Sequence, residues 1–562
     1  MARSKLSNQL SNQLQASPNW QADGSAALTN TLTMIPDALA NALLMGVNPV
    51  FGLHALMVGT PLGALFSGSE FMTINATGAI AVVTAGVLAE FRTEQQIPAL
   101  VMLTVLVGLF QVLLGLFRLD GFLRFVSNAV LTGFMNGIAV AIVLGQLGRL
   151  TGYQSDAGNR ITQTLDLLLH LNQVDLVTTT IGLGAIALIL LLSRTPLKQF
   201  NLVLALLMIT ALTSLWQPPS VQLVKDIAPV PRSLPLPILP DLALLPQVLL
   251  GAISVGLVGL IQGAGVGKTI ANSDGRYGKA WQDFLAQGVC NLGSGCFQGI
   301  PLGGSVSGTA INVSAGAVSR WAIVLVGPMV ILAVLVFGGI VERFPQPAIA
   351  ALLVVAGFQS LKLKNWNDVW LTSRIPRIVM LTTFVATLLL PIQQAVVLGI
   401  TLSVLLQIYR SSLDVQVKQI LPTSTGQSFQ EYPAPTHLPA NAITVLNIYG
   451  SVFYASADIL RAALPSPYTA DRSVVILGLR GRNELGSTFI KLLERYAKEL
   501  GDRHSKLMLA GVEPLVVKQF TKTSVTDTIP LTDIFPTTPV LGESMQQAQA
   551  AAEEWLATLE NL

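Results

Sequence analysis

Residues Gln298 to Asn312 read Gln-Gly-Ile-Pro-Leu-Gly-Gly-Ser-Val-Ser-Gly-Thr-Ala-Ile-Asn, with one proline, four glycines and three hydroxyl side chains in an otherwise apolar region. An unbroken span keeps its backbone satisfied as apolar helix. An interrupted one at membrane depth must be buried in protein or line a cavity. A short helix beginning near Ser305 would aim free N–H groups and its positive dipole end at the bilayer midplane, which is how a helix holds an anion. The competing reading is a re-entrant turn or a tight helix-packing patch, because Gly and Ser also let helices approach closely.

The surrounding chain must position that stretch. It has 562 residues, 51% hydrophobic and 11% charged, with mean hydropathy +0.61; this is the composition of a polytopic membrane protein. Apolar runs of about 20 residues, enough to span, occupy 27–45, 50–67, 98–117, 123–148, 176–193, 200–216, 246–269, 282–297, 320–341, 346–361, 376–390 and 393–409. Two shorter segments, near 77–90 and 306–317, begin with small and polar residues and bring the count to fourteen. Each is third in its set of seven, the signature of a repeat with broken helices at matching positions. Seven spans per half is an odd number, which inverts the second half.

Charges then set the orientation. Arg118 and Arg124, Arg194 and Lys198, Lys268, Arg276 and Lys279, Arg320, Lys362 and Lys364, and Arg410 fall on alternate loops. Those loops are cytoplasmic by the positive-inside rule, and both termini lie on the same side. The polar segment 1–26 lacks a signal-peptide core. A net charge of +3 spread over such loops gives no reason to expect a nucleic acid partner. Cys290 and Cys296 read as small packing residues, with neither a disulfide framework nor a zinc site expected. Residues 411–440 read as a polar linker, and 441–562 as a small α/β domain. Its strands are Ile443–Tyr449 and Ser473–Gly478, and its helices run over Phe489–Leu500 and Met545–Leu559.

The first span, Ile35-Pro-Asp-Ala-Leu-Ala-Asn-Ala-Leu-Leu-Met-Gly-Val-Asn-Pro-Val-Phe-Gly-Leu, resembles the signature of the SulP anion transporters. So do Pro235-Leu-Pro-Ile-Leu-Pro240, Gln287-Gly288 with Asn291, the 301–312 stretch and Gln346-Pro-Ala-Ile-Ala-Ala, in the family's order. The tail, entered through Tyr449-Gly-Ser-Val-Phe-Tyr-Ala455, resembles a STAS domain. The resemblance implies a seven-plus-seven inverted repeat with core and gate domains and elevator-like alternating access. It also implies a site between the third and tenth half-helices, a homodimer in the inner or plasma membrane, and sulfate, bicarbonate or a related anion as substrate.

Carried onto this chain, the resemblance gives a substrate site of Asp37, Asn41, Thr77, Gly78, Gln262, Val266, Ser305, Val306 and Ser307. Thr77 can offer a hydroxyl, and Gly78 lets an anion approach backbone N–H groups. The alternative for these hydroxyls is back-bonding to a helix carbonyl. Two departures matter. The family's eighth span often carries an acid where this chain has Gln262, and its first span commonly has Gln where this chain has Asp37, as though the two were exchanged. A carboxylate in a span is a functional candidate by default, so Asp37 is the candidate for coupling to a cotransported sodium ion or proton; the alternative is a hydrated span-end residue. Gly308 stands where some relatives place an Arg, leaving dipoles, hydroxyls and a cotransported cation to attract the anion.

Gly263-Ala-Gly-Val-Gly-Lys-Thr269 invites comparison with a P-loop. Gln262 stands where the first glycine is required and the flanks read as a span, so Lys268 is expected to anchor that span. At Gly486-Ser-Thr-Phe489 the phosphorylatable loop of some STAS relatives lacks its Asp and Gly, which disfavours phosphorylation of Ser487. The expected function is secondary transport of a small inorganic anion, coupled to a cation, with no enzymatic activity and no resident cofactor. A nucleobase permease of the same fold, a membrane sensor signalling through the tail and an ATP-driven pump are the alternatives.

Overall fold

The computed structural model describes residues 19–560 apart from 120, 122–126, 158, 159, 197, 228–233, 269, 391, 423–428 and 524. Arg124, Thr269 and most of the N-terminal segment therefore lie outside the described residues. The chain forms two units, one ending at Ser403 and one beginning at Val404.

Among the described residues, each of the fourteen apolar segments falls on a helix. In order they are α1 (Trp20–Leu44), α2 (Val50–Phe66), α3 (Gly78–Leu88), α4 (Gln96–Leu116) and α5 (Asn128–Thr151). After the added amphipathic helix α6 (Arg160–Leu169) come α7 (Leu176–Leu192), α8 (Asn201–Trp216), α9 (Leu245–Gly267), α10 (Ala280–Cys296) and α11 (Val306–Ser314). Then follow α12 (Val326–Val341, after the single turn Trp321–Val324), α13 (Gln346–Ser360), a second added helix α14 (Leu363–Thr372), α15 (Arg374–Leu389) and α16 (Ile392–Leu413). The stretches Thr93–Leu116, Asn128–Thr151, Leu242–Gly267 and Gln346–Thr372 are long and apolar enough to cross a membrane. By contrast α3 has 11 residues and α11 has 9. At 1.5 Å per residue they reach only about 14–17 Å into a hydrocarbon core of about 30 Å, so both are half-helices.

Close backbone contact holds the helices around them. A Cβ on Gly108 of α4 would lie 2.8 Å from the Gly288 carbonyl oxygen of α10, and one on Gly288 would lie 2.8 Å from the Gly108 carbonyl oxygen. Only small residues allow that approach, which is how helices associate where lipid supplies no hydrophobic drive.

Three expectations are corrected. The first helix begins at Trp20, not after residue 26. Asn19 caps it by accepting from the Ala22 N–H, and Asp23 is fully buried, where its carboxylate accepts from the backbone N–H groups of Val318 and Ser319 at 3.0 and 2.9 Å. Arg320 is no loop anchor: it is buried and its guanidinium donates to the carbonyls of Ala64, Leu65 and Ser67 at 3.1–3.3 Å, satisfying the end of α2. The supposed linker 411–440 instead holds two strands, β3 (Gln416–Pro422) and β4 (Phe429–Pro433), numbered after the short pair β1 (Thr73–Asn75) and β2 (Gly303–Ser305). Their mixed polar sequence hid them because β4 is exposed along its whole length.

The second unit is a six-stranded sheet in the order β4-β3-β5-β6-β7-β8, where β5 is Ile443–Tyr449, β6 Val474–Gly478, β7 Lys506–Val512 and β8 Ile534–Pro536. Strands β5 to β8 are parallel and β3 is antiparallel to both its neighbours. Helices Ala457–Ala463, Ser487–Gly501 and Pro514–Lys522 connect them. The C-terminal helix Glu543–Glu560 packs Ala548 and Ala552 against Val474, Ile476 and Met508. The strands at 443–449 and 474–478 and both expected helices are present.

Candidate functional site

Strands β1 and β2 pair antiparallel, with Thr73 opposite Ser305 and Asn75 opposite Gly303. Each leads into a half-helix, and because the strands run in opposite directions the two helices start at opposite ends of the ladder. Thr77 follows the end of β1 by two residues, and Ser305 is the last residue of β2.

Buried carboxamides make this irregular backbone tolerable. Asn291 donates to the Leu302 carbonyl at 2.9 Å and accepts from the Leu302 N–H at 2.7 Å, while its Nδ2 also donates to Gln111 Oε1 at 2.8 Å. Gln287 Oε1 accepts from the Gly304 N–H at 3.3 Å. Thr309 Oγ1 accepts from the Thr73 N–H at 3.0 Å, and Thr60 donates to the Ile74 carbonyl at 2.7 Å. The glycines of the P-loop-like stretch serve packing here: a Cβ on Gly304 would lie 2.4 Å from Gly263 Cα. The helix α9 runs unbroken through Leu245–Gly267, and among the described residues no strand leads into it to form a phosphate loop.

At α3, Thr77 is the N-cap, its Oγ1 accepting weakly from the Ile80 N–H at 3.4 Å. The same hydroxyl donates to Gln262 Oε1 at 2.9 Å. Thr77 and Gly78 are half-buried, and among the first N–H groups of the helix those of Gly78 and Ala79 have no intrahelical acceptor. Asp37, on α1, reaches the same place. Asn41 Nδ2 donates to Asp37 Oδ1 at 3.0 Å and to the Asp37 carbonyl at 2.8 Å, and lies 3.5 Å from the Ala76 carbonyl. Asn75 Nδ2 donates to Asp37 Oδ2 at 3.4 Å. At α11, Ser305 Oγ accepts from the Gly308 N–H at 3.0 Å and lies 3.3 Å from Ser307 Oγ. Val306 and Ser307 are exposed.

Five expected residues, Asp37, Asn41, Thr77, Gly78 and Gln262, thus meet at the start of α3. Ser305, Val306 and Ser307 form a second group at the start of α11. Val266 is buried one turn beyond Gln262. The sequence reading missed Asn75 as a site residue and Gln111, Gln287 and Asn291 as supports. For Gln111, Gln287 and Asn291 the available signal was a carboxamide inside an apolar run, which must have a polar partner.

Opposed half-helices set in a polytopic helical body, each with a hydroxyl cap and unpaired N–H groups, define an integral membrane transporter and not an enzyme. The chain belongs to the sulfate permease family, whose model matches residues 21–386, and a STAS domain matches residues 435–539. Similar proteins include the putative sulfate transporter YvdB of Bacillus subtilis, 24% identical over 88% of this chain and 92% of its own length. The probable sulfate transporter Rv1739c of Mycobacterium tuberculosis is 26% identical over 93% and 95%. Prestin of Rattus norvegicus is 24% identical over 85% of this chain and 67% of its own. The fold matches that of SLC26A9 with a TM-score of 0.82 at 19% identity, covering 96% of this chain and 91% of the other. It also matches the transmembrane domain of the cyanobacterial bicarbonate transporter BicA, with a TM-score of 0.57 at 21% identity, over 69% and 97%.

Proposed function

We propose that this protein is a secondary transporter of a small inorganic oxyanion, sulfate or bicarbonate, coupled to inward movement of a cation. The observation that carries the reading is the pair of half-helix starts at Thr77 and Ser305 on one antiparallel ladder. Each end supplies N–H groups, a hydroxyl and the positive end of a dipole, so an anion is held without a full positive charge. A helix N-terminus in partly buried geometry contributes up to about 2 kcal/mol toward an anion. Ser305, Val306 and Ser307 serve the anion from α11; Thr77 and Gly78 serve it from α3, with Gln262 orienting the Thr77 hydroxyl and Val266 backing that turn. Asp37 and Asn41 supply the cation side.

The relatives named as sulfate transporters favour sulfate, and the fold shared with BicA keeps bicarbonate open. Seven-plus-seven inverted repeats, a moving core against a gate, a homodimer surrounded by lipid and cytoplasmic termini complete the proposal; the matched third positions of α3 and α11 support the repeat. The second unit acts in regulation or assembly. The test is uptake of labelled sulfate and of labelled bicarbonate into liposomes holding the purified protein, with a sodium gradient, a proton gradient or neither. No uptake of either anion under any gradient sinks the proposal.

A further inference from the structure

We infer that Asp37, Asn41 and Asn75 form a binding site for one sodium ion, which on the transport reading above is the cotransported cation. Both carboxamides turn their N–H groups toward the Asp37 carboxylate, Asn41 at 3.0 Å and Asn75 at 3.4 Å. Their oxygens, Asn41 Oδ1 and Asn75 Oδ1, are buried without a hydrogen-bond partner, on residues 1% and 3% exposed. A buried carbonyl oxygen lacking a donor is unfavourable, and such groups call for an explanation where they occur. Two of them flank one carboxylate here.

A half-turn of each carboxamide exchanges its nitrogen and oxygen at nearly the same positions. That motion brings both stranded oxygens to Asp37, where a cation can hold the two of them together beside the carboxylate. The gathered donors are then Asp37 Oδ1 and Oδ2, Asn41 Oδ1 and Asn75 Oδ1, with the Asp37 and Ala76 backbone carbonyls 2.8 and 3.5 Å from the Asn41 position. All are oxygens, the donor set of a hard cation. The set carries a single negative charge, which matches a monovalent ion. Oxygens 2.8–3.5 Å apart are edges of a shell around an ion about 2.4 Å from each, the distance of a calcium-sized ion; sodium is the monovalent ion of that radius. A proton on one carboxyl oxygen could be donated to only one of the two carboxamide oxygens and would leave the other stranded. The cage adjoins the anion end of α3: Asn41 Oδ1 lies 3.8 Å from where a Cβ on Gly78 would stand. An ion there sets a positive charge against the first turn of α3.

The test is direct binding of radioactive sodium to the full-length purified protein in detergent, with sulfate and bicarbonate absent. Wild type should bind saturably, with unlabelled sodium displacing at least tenfold better than potassium. Asp37→Asn should abolish binding and Asn75→Ala should weaken it at least tenfold. The near-isosteric Asn75→Asp adds a second carboxylate and should make calcium a competitor at least tenfold stronger than in wild type; it carries the test should Asn75→Ala fail to fold. Absence of saturable sodium binding in wild type, undiminished binding in Asp37→Asn, or unchanged calcium competition in folded Asn75→Asp would each overturn the site. Gradient-driven anion uptake without sodium binding removes the cage alone. Sodium binding that meets these criteria supports the cage even if neither anion is carried, a result that sinks only the transport reading.

Discussion

Thr77 donates its hydroxyl hydrogen to Oε1 of Gln262 at 2.9 Å, tying the start of the first half-helix to the eighth span across 185 positions of sequence. Asp37 reaches the same helix start from the first span through Asn41 and Asn75. A carboxylate at 37 and a carboxamide at 262 therefore address one spot, which supports reading the two as exchanged relative to the family pattern.

From that exchange follows a rescue. Asp37→Asn is expected to remove the cation dependence of uptake, and Asp37→Gln combined with Gln262→Glu to restore part of it, measured as the ratio of uptake with and without the cation gradient. At an effective dielectric of ~20, unit charges ~4 Å apart attract by roughly 4 kcal/mol, which is ample to couple two fluxes. Full cation dependence in Asp37→Asn would make Asp37 a structural residue.

At the anion site, Thr77→Phe and Ser305→Phe should each abolish uptake while surface expression persists, because an aromatic ring at a helix start covers the N–H groups that hold the ion. Both variants transporting at the wild-type rate would remove the site from these helix ends.

The ladder predicts a contrast between two glycines of one helix. Gly263→Ala drives a methyl to within 2.2 Å of Gln287 Nε2, whereas a Cβ on Gly265 meets nothing within 4 Å. Overpacking of this kind costs about 1–3 kcal/mol. Melting of the detergent-solubilised protein should fall for Gly263→Ala and stay unchanged for Gly265→Ala; equal melting would mean that the contact relaxes freely.

In the second unit, Tyr496 is fully buried and its hydroxyl donates to the Pro465 carbonyl at 2.8 Å. Burial holds its ionisation above the ordinary range, so the hydroxyl remains a donor at all working pH values. Tyr496→Phe should cost about 1 kcal/mol, or a few degrees of melting temperature for this unit, without affecting transport. Chemical denaturation of the unit measures it, and an unchanged midpoint would argue against the bond.

Removal of the tail should begin at Asp414, just past the end of α16. A cut at 441 would strand β3 and β4, since β3 pairs with β5 from Gln416 to Gln419. Deletion of 414–562 is expected to lower activity or surface amount with the same anion preference, read by competition between sulfate and bicarbonate. A changed preference would place the tail in substrate selection.

The sequence by itself placed the apolar segments that fold as helices, because apolar runs stand out from the polar loops between them, and the positions of the two breaks, because Gly, Pro and Ser interrupt such runs visibly. Thr77 and Ser305 were legible for the same reason: each sits where a cap is needed. In the tail, β5 and β6 were legible as apolar runs; buried β7 and exposed β4 were not read, and the added helices α6 and α14 were hidden in segments too polar to read as spans. Only the tertiary structure decided the rest. Arg320 looked like a loop charge until α2 was seen to end beside it. The roles of Asn75, Gln111, Gln287 and Asn291 depend on which backbone groups the fold leaves unpaired, and that is fixed by an antiparallel ladder between residues some 230 positions apart. Local sequence records that a carboxamide is present; the partner it must satisfy is supplied by the packing of distant segments.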